Sequence, residues 1–504
     1  MPASSRGPSS STWAASAKLS RGSWLLRSAP ASAKPAAARA SVTRTRAARA
    51  ESGPPSAAQA RSAASAGPGE ELLLIVTSAR RRLLAPRPSS YRPGPARGRA
   101  DLLISGISTL YTLDAVAHPD EEGLGRLHDV SVAFKDGELW WLGPAAHAPD
   151  ADEVIDGEGL IGLPGLVEPH THAIRAGSRA DEFSRRLSGV PYAQILEEGG
   201  GILSTVAATR RAPRDELAEA ARARLAGLRA HGVTTVEVKS GYGLDPATEL
   251  RLLRVAADLN DTVRVVPTFL GAHTIPAEWR GDRAAYVRQI IEEQLPMVAA
   301  HADFIDVYCD RGAFTLDEAV AILQAGKAAG LRIKAHAEQV AHTGIAAAAA
   351  ALGATSVEHL ERLDAAGVEA LAQHGVVAVL LPGAQLYLRD TAPPVAALRA
   401  AGVPIALGTD LNPGSSPVHD PWAVATLATL IQGLTVAEAV RGLTVHAARA
   451  LALPERGWLG PGSAADLALF APPPGEPPRV DALVQHLGGH RVAHLVMNGE
   501  RVLG

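Results

Sequence analysis

Eight short, mostly β-branched runs recur in the middle of the chain, and Ala- and Leu-rich helical stretches that stop at glycine separate several of them. The runs are Leu166 to Glu168, Val233 to Val238, Val263 to Leu270, Phe304 to Tyr308, Arg332 to Ala335, Ser356 to Glu358, Val377 to Leu381 and Ile405 to Gly408. Arg214 to Ala230 reads as a helix stopped by Gly232, Asp317 to Ala329 as one stopped by Gly330, and Gly344 to Leu352 as one stopped by Gly353. Eight strand–helix units predict an α/β fold, a TIM-like (β/α)8 barrel whose site lies at the carboxyl ends of the strands. A doubly wound open sheet is the competing architecture. No G-x-G-x-x-G follows the first strand, which weakens its nucleotide-binding form.

The flanks read differently. Leu102 to Leu113, Val130 to Phe134 and Leu139 to Leu142 look like short strands, as do Asp466 to Phe470 and His494 to Val502, the last folded about Asn498-Gly499. Residues 100–163 and 455–504 are therefore expected to form one small β domain from both ends, with the barrel at 164–454. Residues 1–99 are rich in Ala, Ser, Arg and Pro. They read as a disordered basic tail, most simply an over-extended start, with an organelle transit peptide as the alternative. The first hundred residues carry 17 Lys or Arg against three acids, whereas the remainder carries 32 against 49. That acidic remainder argues against nucleic-acid binding. No stretch has the length of a membrane span. The single cysteine, Cys309, excludes an internal disulfide and a thiolate metal cage. It fits a reducing, cytoplasmic setting.

Polar residues gather at the strand ends. The first strand ends in Glu168-Pro169-His170-Thr171-His172, and two histidines one residue apart in extended chain face the same side. The fifth ends in Lys334-Ala335-His336, the sixth in Glu358-His359 and the eighth in Gly408-Thr409-Asp410. Each alone suits a structural role; together they place four histidines and an aspartate at four strand ends. His170, His172, His336 and Asp410 can hold one divalent ion of the kind that accepts N and O ligands, with a place left for water. Such an ion lowers the pKa of water from about 15.7 to about 7. Asp410 can also accept the proton, and His359 is free to polarise a carbonyl or shuttle a proton. The fourth strand ends in Tyr308-Cys309-Asp310 without a lysine to bridge two metals, which favours a single ion.

These residues, with Pro164 to Glu168 leading into the His pair, resemble the amidohydrolase superfamily. Longer segments are similar to the imidazolonepropionase family: Ala176 to Arg179 with Glu182-Phe183, Gly199 to Val206, Glu237 to Leu244, Gly271 to Thr274 and Gly408 to Ser415. The resemblance covers roughly residues 100–504. It implies hydrolysis of the cyclic amide of 4-imidazolone-5-propanoate to N-formimidoyl-L-glutamate in histidine degradation. It implies Zn or Fe on His170, His172, His336 and Asp410, substrate-binding roles for Arg179, Tyr242, His273 and Gln339, and product contacts from Asn412, Gly414 and Ser415. It also implies a homodimer. Arg179 suits a substrate carboxylate, and backbone N–H groups near Gly414 are expected to add an anion nest. Gly199 to Gly201 lacks the Lys-Ser/Thr of a phosphate loop and reads as a flexible cover over the site. Position 339 is Gln where some relatives have Glu, so the general base falls to Asp410 or His359, and the choice stays open.

The alternatives share the metal set. A nucleobase deaminase or a cyclic-imide hydrolase would not need Arg179 for a carboxylate. An inactive metal-binding scaffold is disfavoured because no ligand is missing.

Overall fold

The computed structural model describes residues 98–504, apart from 192, 193, 196 and 197. The tail expected to be disordered lies outside the described residues, except for its last two positions, Gly98 and Arg99.

Five strands come first: β1 (Arg99–Tyr111), β2 (Arg126–Lys135), β3 (Glu138–Pro144), β4 (Asp150–Asp156) and β5 (Ile161–Pro164). Nine follow through the middle: β6 (Leu166–Glu168), β7 (Val233–Lys239), β8 (Arg264–Ala272), β9 (Phe304–Cys309), β10 (Arg332–Ile333), β11 (His336–Ala337), β12 (Ser356–His359), β13 (Val377–Leu380) and β14 (Ile405–Leu407). The chain ends in β15 (Leu467–Phe470), β16 (Val492–Met497) and β17 (Glu500–Leu503).

The middle strands pair in parallel and in sequence order from β6 to β14, with β10 and β11 serving as two halves of one position. Sequential order with helices between strands is the arrangement of a barrel and not of a doubly wound sheet, whose order reverses. The ring closes between first and last strands. Asp410 N–H donates to His170 O (3.1 Å), His172 N–H donates to Leu411 O (3.1 Å), and Thr171 bridges Leu411 in parallel. Glu168 reinforces this seam, since its carboxylate accepts from the N–H of both His170 (2.9 Å) and Thr409 (3.0 Å). The fold is a (β/α)8 barrel.

Helix Arg214–Ala230 shows why the outer ring forms. Leu217, Ala221, Leu225 and Leu228 share one face and are buried, while the Arg- and Glu-rich face is wet. Helix Leu316–Ala328 starts at Thr315, whose hydroxyl accepts from Glu318 N–H while Glu318 reaches back, a capping box.

The flanking strands build a second sheet in the order β17-β16-β15-β5-β1-β2-β3, with β4 beside β1. β15 runs antiparallel to β5, so strands from both ends of the described chain share this sheet. Asn498 (φ 51°) and Gly499 (φ 81°) make the tight β16–β17 turn that the Asn-Gly pair predicts. β4 and β5 were not among the expected strands. The expected fifth barrel strand, Arg332 to Ala335, is broken after Ile333 and resumes at His336.

Candidate metal centre and active site

Thr171 explains the geometry of the His pair. It points away from its neighbours: its hydroxyl donates to Glu237 O (2.7 Å) and its N–H to the Glu237 carboxylate (3.2 Å). This anchor on β7 turns His170 and His172 together into the barrel. His336 comes from β11, and Asp410 follows β14 with a left-handed φ of 51°.

Four donor atoms converge there. His170 Nε2 lies 3.4 Å and His172 Nε2 3.6 Å from Asp410 Oδ1, and His336 Nε2 lies 3.4 Å from His172 Nε2. All four side chains are buried. Two facing imidazole nitrogens at that spacing suit an ion between them, since ligands about 2.0–2.2 Å from a tetrahedral ion stand roughly 3.4 Å apart. Both nitrogens of His170 are buried without a hydrogen-bond partner, a costly state that an ion would relieve. The donor set and its unsatisfied atoms fit a resident metal ion.

The electrostatics fit as well. Burial pulls His170 down, yet Asp410 and Glu358 more than reverse this and lift it to about 9. Burial, with the neighbouring histidine charges, holds His172 well below its ordinary value. Burial pushes Asp410 up, but His170 outweighs it and the carboxyl ends below the ordinary range. His170 thus favours its charged form, in the place where an ion would bring its own positive charge.

Above the donors opens a cavity of about 720 Å³, lined by every expected site residue except His170, which lies behind the others. His273 stacks on His172 with ring centroids 4.9 Å apart, and its Nδ1 lies 2.9 Å from Gly241 O, a contact that requires the proton there and leaves Nε2 as an acceptor. Burial, then the His336 charge, lowers His273 to about 3, so it is neutral. Tyr242 packs 5.3 Å from His273, and burial raises its phenol. Burial also dominates at His359, lowered to about 3. His359 and Leu360 both have left-handed φ, 76° and 77°, a strained pair at the end of β12.

Arg179 lies in the loop after the His pair. Its Nε donates to Glu182 Oε2 (2.8 Å), and Glu182 Oε1 accepts from Gly201 N–H (2.9 Å). The rest of its guanidinium lies against Gly414, where a Cβ would stand only 2.1 Å from Nη1. Asn412 shapes the opposite loop. Its Oδ1 accepts from the N–H of Gly414 and Ser415 (both 2.8 Å), and its Nδ2 donates to Ser415 Oγ (2.9 Å). The anion nest expected near Gly414 is therefore not formed, because Asn412 already takes those N–H groups. Gln339 Oε1 accepts from Tyr308 OH (3.0 Å), which leaves its amide NH2 as a donor.

The roles of several residues at the site went unread in the sequence. Asp310 accepts from the N–H of Gln339 (3.0 Å), Val340 (2.7 Å) and Ala341 (3.0 Å) and so holds that loop. Glu182 and Tyr308 position Arg179 and Gln339. Below the histidines, Glu237, Lys239, Asp306, Lys334 and Glu358 are buried charges inside the barrel. Their signal was charge within or beside short barrel strands, at alternate positions for Glu237 and Lys239.

Comparison with known proteins agrees with this geometry. Residues 185–503 match the model of the Amidohydrolase family. An imidazolonepropionase from Shewanella baltica is 48% identical over 356 residues, 69% of this chain and 87% of that one. One from Caulobacter vibrioides is 48% identical over 364 residues, 71% and 91%. Among solved structures, a zinc-bound adenosine deaminase from Xanthomonas campestris superposes with a TM-score of 0.62 at 18% identity, covering 81% of this chain and 94% of that one. A zinc complex of atrazine chlorohydrolase from Arthrobacter aurescens gives 0.58 at 19% identity, covering 80% and 95%. These two show the shared fold. The chain belongs to the amidohydrolase family and, within it, to the imidazolonepropionases, hydrolases of histidine degradation.

Proposed function

We propose that the cyclic amide of 4-imidazolone-5-propanoate is opened in this cavity with one Zn or Fe ion held by His170, His172, His336 and Asp410. The observation that carries the assignment is the convergence of four buried donor atoms, with neighbouring separations of 3.4 to 3.6 Å, at the foot of the cavity. When bound, such an ion supplies Lewis acidity that makes water a competent nucleophile at neutral pH.

The protein's own groups do the rest. Arg179, tied at Nε by Glu182, offers its remaining N–H groups to the propionate. Asp410 takes the proton of the attacking water at its carboxylate, because it borders the histidine nitrogens where that water must sit. His359 is neutral and donates to the ring carbonyl as charge develops on oxygen. Gln339 and His273 orient the ring, one as donor and one as acceptor. Tyr242 packs beside them, and the Asn412 to Ser415 loop lies against Arg179. The ring C–N bond breaks, the nitrogen takes a proton, and the former carbonyl leaves as a second carboxylate. Gly199 to Gly201 covers the site and is tethered through Glu182.

Residues 164–454 are taken as the catalytic barrel, and 100–163 with 455–504 as one β domain, a division that the β5–β15 pairing supports. No described helix is long and apolar enough to cross a membrane. A cytoplasmic homodimer without nucleic acid completes the proposal, on the family resemblance, the buried lone Cys309 and the acidic charge of residues 101–504. The test is turnover of imidazolonepropionate with metal content measured on the same sample. Undiminished turnover by fully demetallated protein would overturn the assignment.

A further inference from the structure

Directly beneath the histidines, five buried charged side chains meet inside the barrel. Lys239 Nζ lies 2.7 Å from Glu237 Oε1, 2.8 Å from Asp306 Oδ2 and 3.6 Å from Glu358 Oε2. Lys334 Nζ lies 3.0 Å from Glu358 Oε1 and donates to Pro169 O (2.9 Å). All five side chains are fully enclosed. Burying such charges costs several kcal/mol per ion, and a well-packed apolar layer would stabilise the barrel as well. Stability alone therefore does not account for them.

Their placement does. Asp306 Oδ2 is 3.0 Å from His336 Nδ1, and Glu358 Oε2 is 3.4 Å from His170 Nδ1. Those two carboxylate oxygens and both Nδ1 atoms lack a well-aligned hydrogen-bond partner, so a small ring rotation on loading would satisfy all four. Asp306, His336 and Glu358 also present their donor atoms within 4.8 Å of one another, a grouping that would suit a cation, and Lys239 is the cation beside it.

We propose that Lys239, Asp306 and Glu358 are positioning residues for the metal. Lys239 acts as a tethered cation that holds the two carboxylates against Nδ1 of His336 and His170 and leaves both Nε2 atoms to the ion. Three carboxylates against two ammonium groups leave this layer one net negative charge, facing the metal position. The proposal rests on the ligand assignment above.

The experiment measures zinc affinity of the full-length protein by competition with a chromophoric chelator, and the melting temperature of the metal-free form. Asp306→Asn keeps shape and an acceptor but loses charge, and Asp306→Ala loses both. The expected order of affinity is wild type, then Asn, then Ala, with Asn 10- to 100-fold weaker than wild type while the metal-free melting temperature stays close. Lys239→Met should weaken zinc by a similar factor. If either single variant does not fold, Asp306→Asn with Lys239→Met removes one charge of each sign, and it too should bind zinc at least tenfold more weakly. Zinc affinity within twofold of wild type in a folded variant would overturn the positioning role. A wild type that binds no zinc or iron would overturn the ligand assignment, and this proposal with it.

Discussion

Gly414→Ala tests the site at its tightest point. A Cβ at 414 would stand 2.1 Å from Arg179 Nη1 and 2.7 Å from its Cζ, against an ordinary contact of at least 3.4 Å. Backbone strain is not the issue, because Gly414 is not left-handed. The guanidinium must therefore retreat by about 1.3 Å from its place in the cavity wall, where the proposal puts the substrate carboxylate. A misplacement of about 1 Å costs roughly 100-fold, or ~2.7 kcal/mol. Glu182 resists any larger retreat, because it holds Nε at 2.8 Å. The assay is steady-state ring opening, with the loss expected in kcat/KM and mostly as raised KM. A double-mutant cycle removes ambiguity. In an Arg179→Ala background the added methyl meets no guanidinium, so Gly414→Ala should cost less than threefold there. Full additivity of the two losses, or a single variant within twofold of wild type, would refute the argument.

Other expectations follow from the same geometry. Exhaustive chelation should abolish turnover, and stoichiometric zinc or iron should restore it; restoration by neither would count against the metal assignment. His359→Gln should lower kcat about 10²- to 10⁴-fold while zinc affinity stays within threefold, whereas Asp410→Asn should lose both. Zinc loss in His359→Gln would move that residue into the ligand set. Glu361 offers a pH test. Burial raises its folded pKa to about 8 from 4.5. Between those values the folded state keeps a proton that the unfolded chain releases, so stability falls as pH rises through the window, by up to ~5 kcal/mol. Glu361→Gln should flatten that slope in melts at pH 5 and pH 8, and an unchanged slope would rule the group out.

The barrel was legible because its strands announce themselves. Val233 to Val238 and Phe304 to Tyr308 are short runs dominated by β-branched and aromatic residues, and the proposed ligands His170, His172, His336 and Asp410 sit where such runs stop. What escaped notice had physical reasons. β4 is acid-rich and buries only Ile155 fully, so no apolar alternation marks it. The fifth strand looked continuous, yet it breaks at Lys334, whose ammonium reaches across to Pro169 and Glu358. Lys239 and Glu237 resemble solvent-facing residues until the barrel encloses them. The roles of Glu182 and Tyr308 escaped for a different reason: they lie in partners on other segments, Gly201 and Gln339.

The seam that closes the barrel carries a consequence for assembly. His170 and His172 leave the first strand, His336 the fifth and Asp410 the eighth, and the carboxylate of Glu168 ties the first strand to the last. In the proposed ligand set, then, the growing chain lacks a complete coordination sphere until Asp410 has been made. The sphere comes into being only when the final strand docks beside the first, across some 240 residues of intervening sequence. Metal uptake would be a late event in maturation, and an ion that bridges both lips of the seam would act as its clasp. Loading would then report that the ring has shut, and stripping would first loosen the join between the barrel's first and last strands.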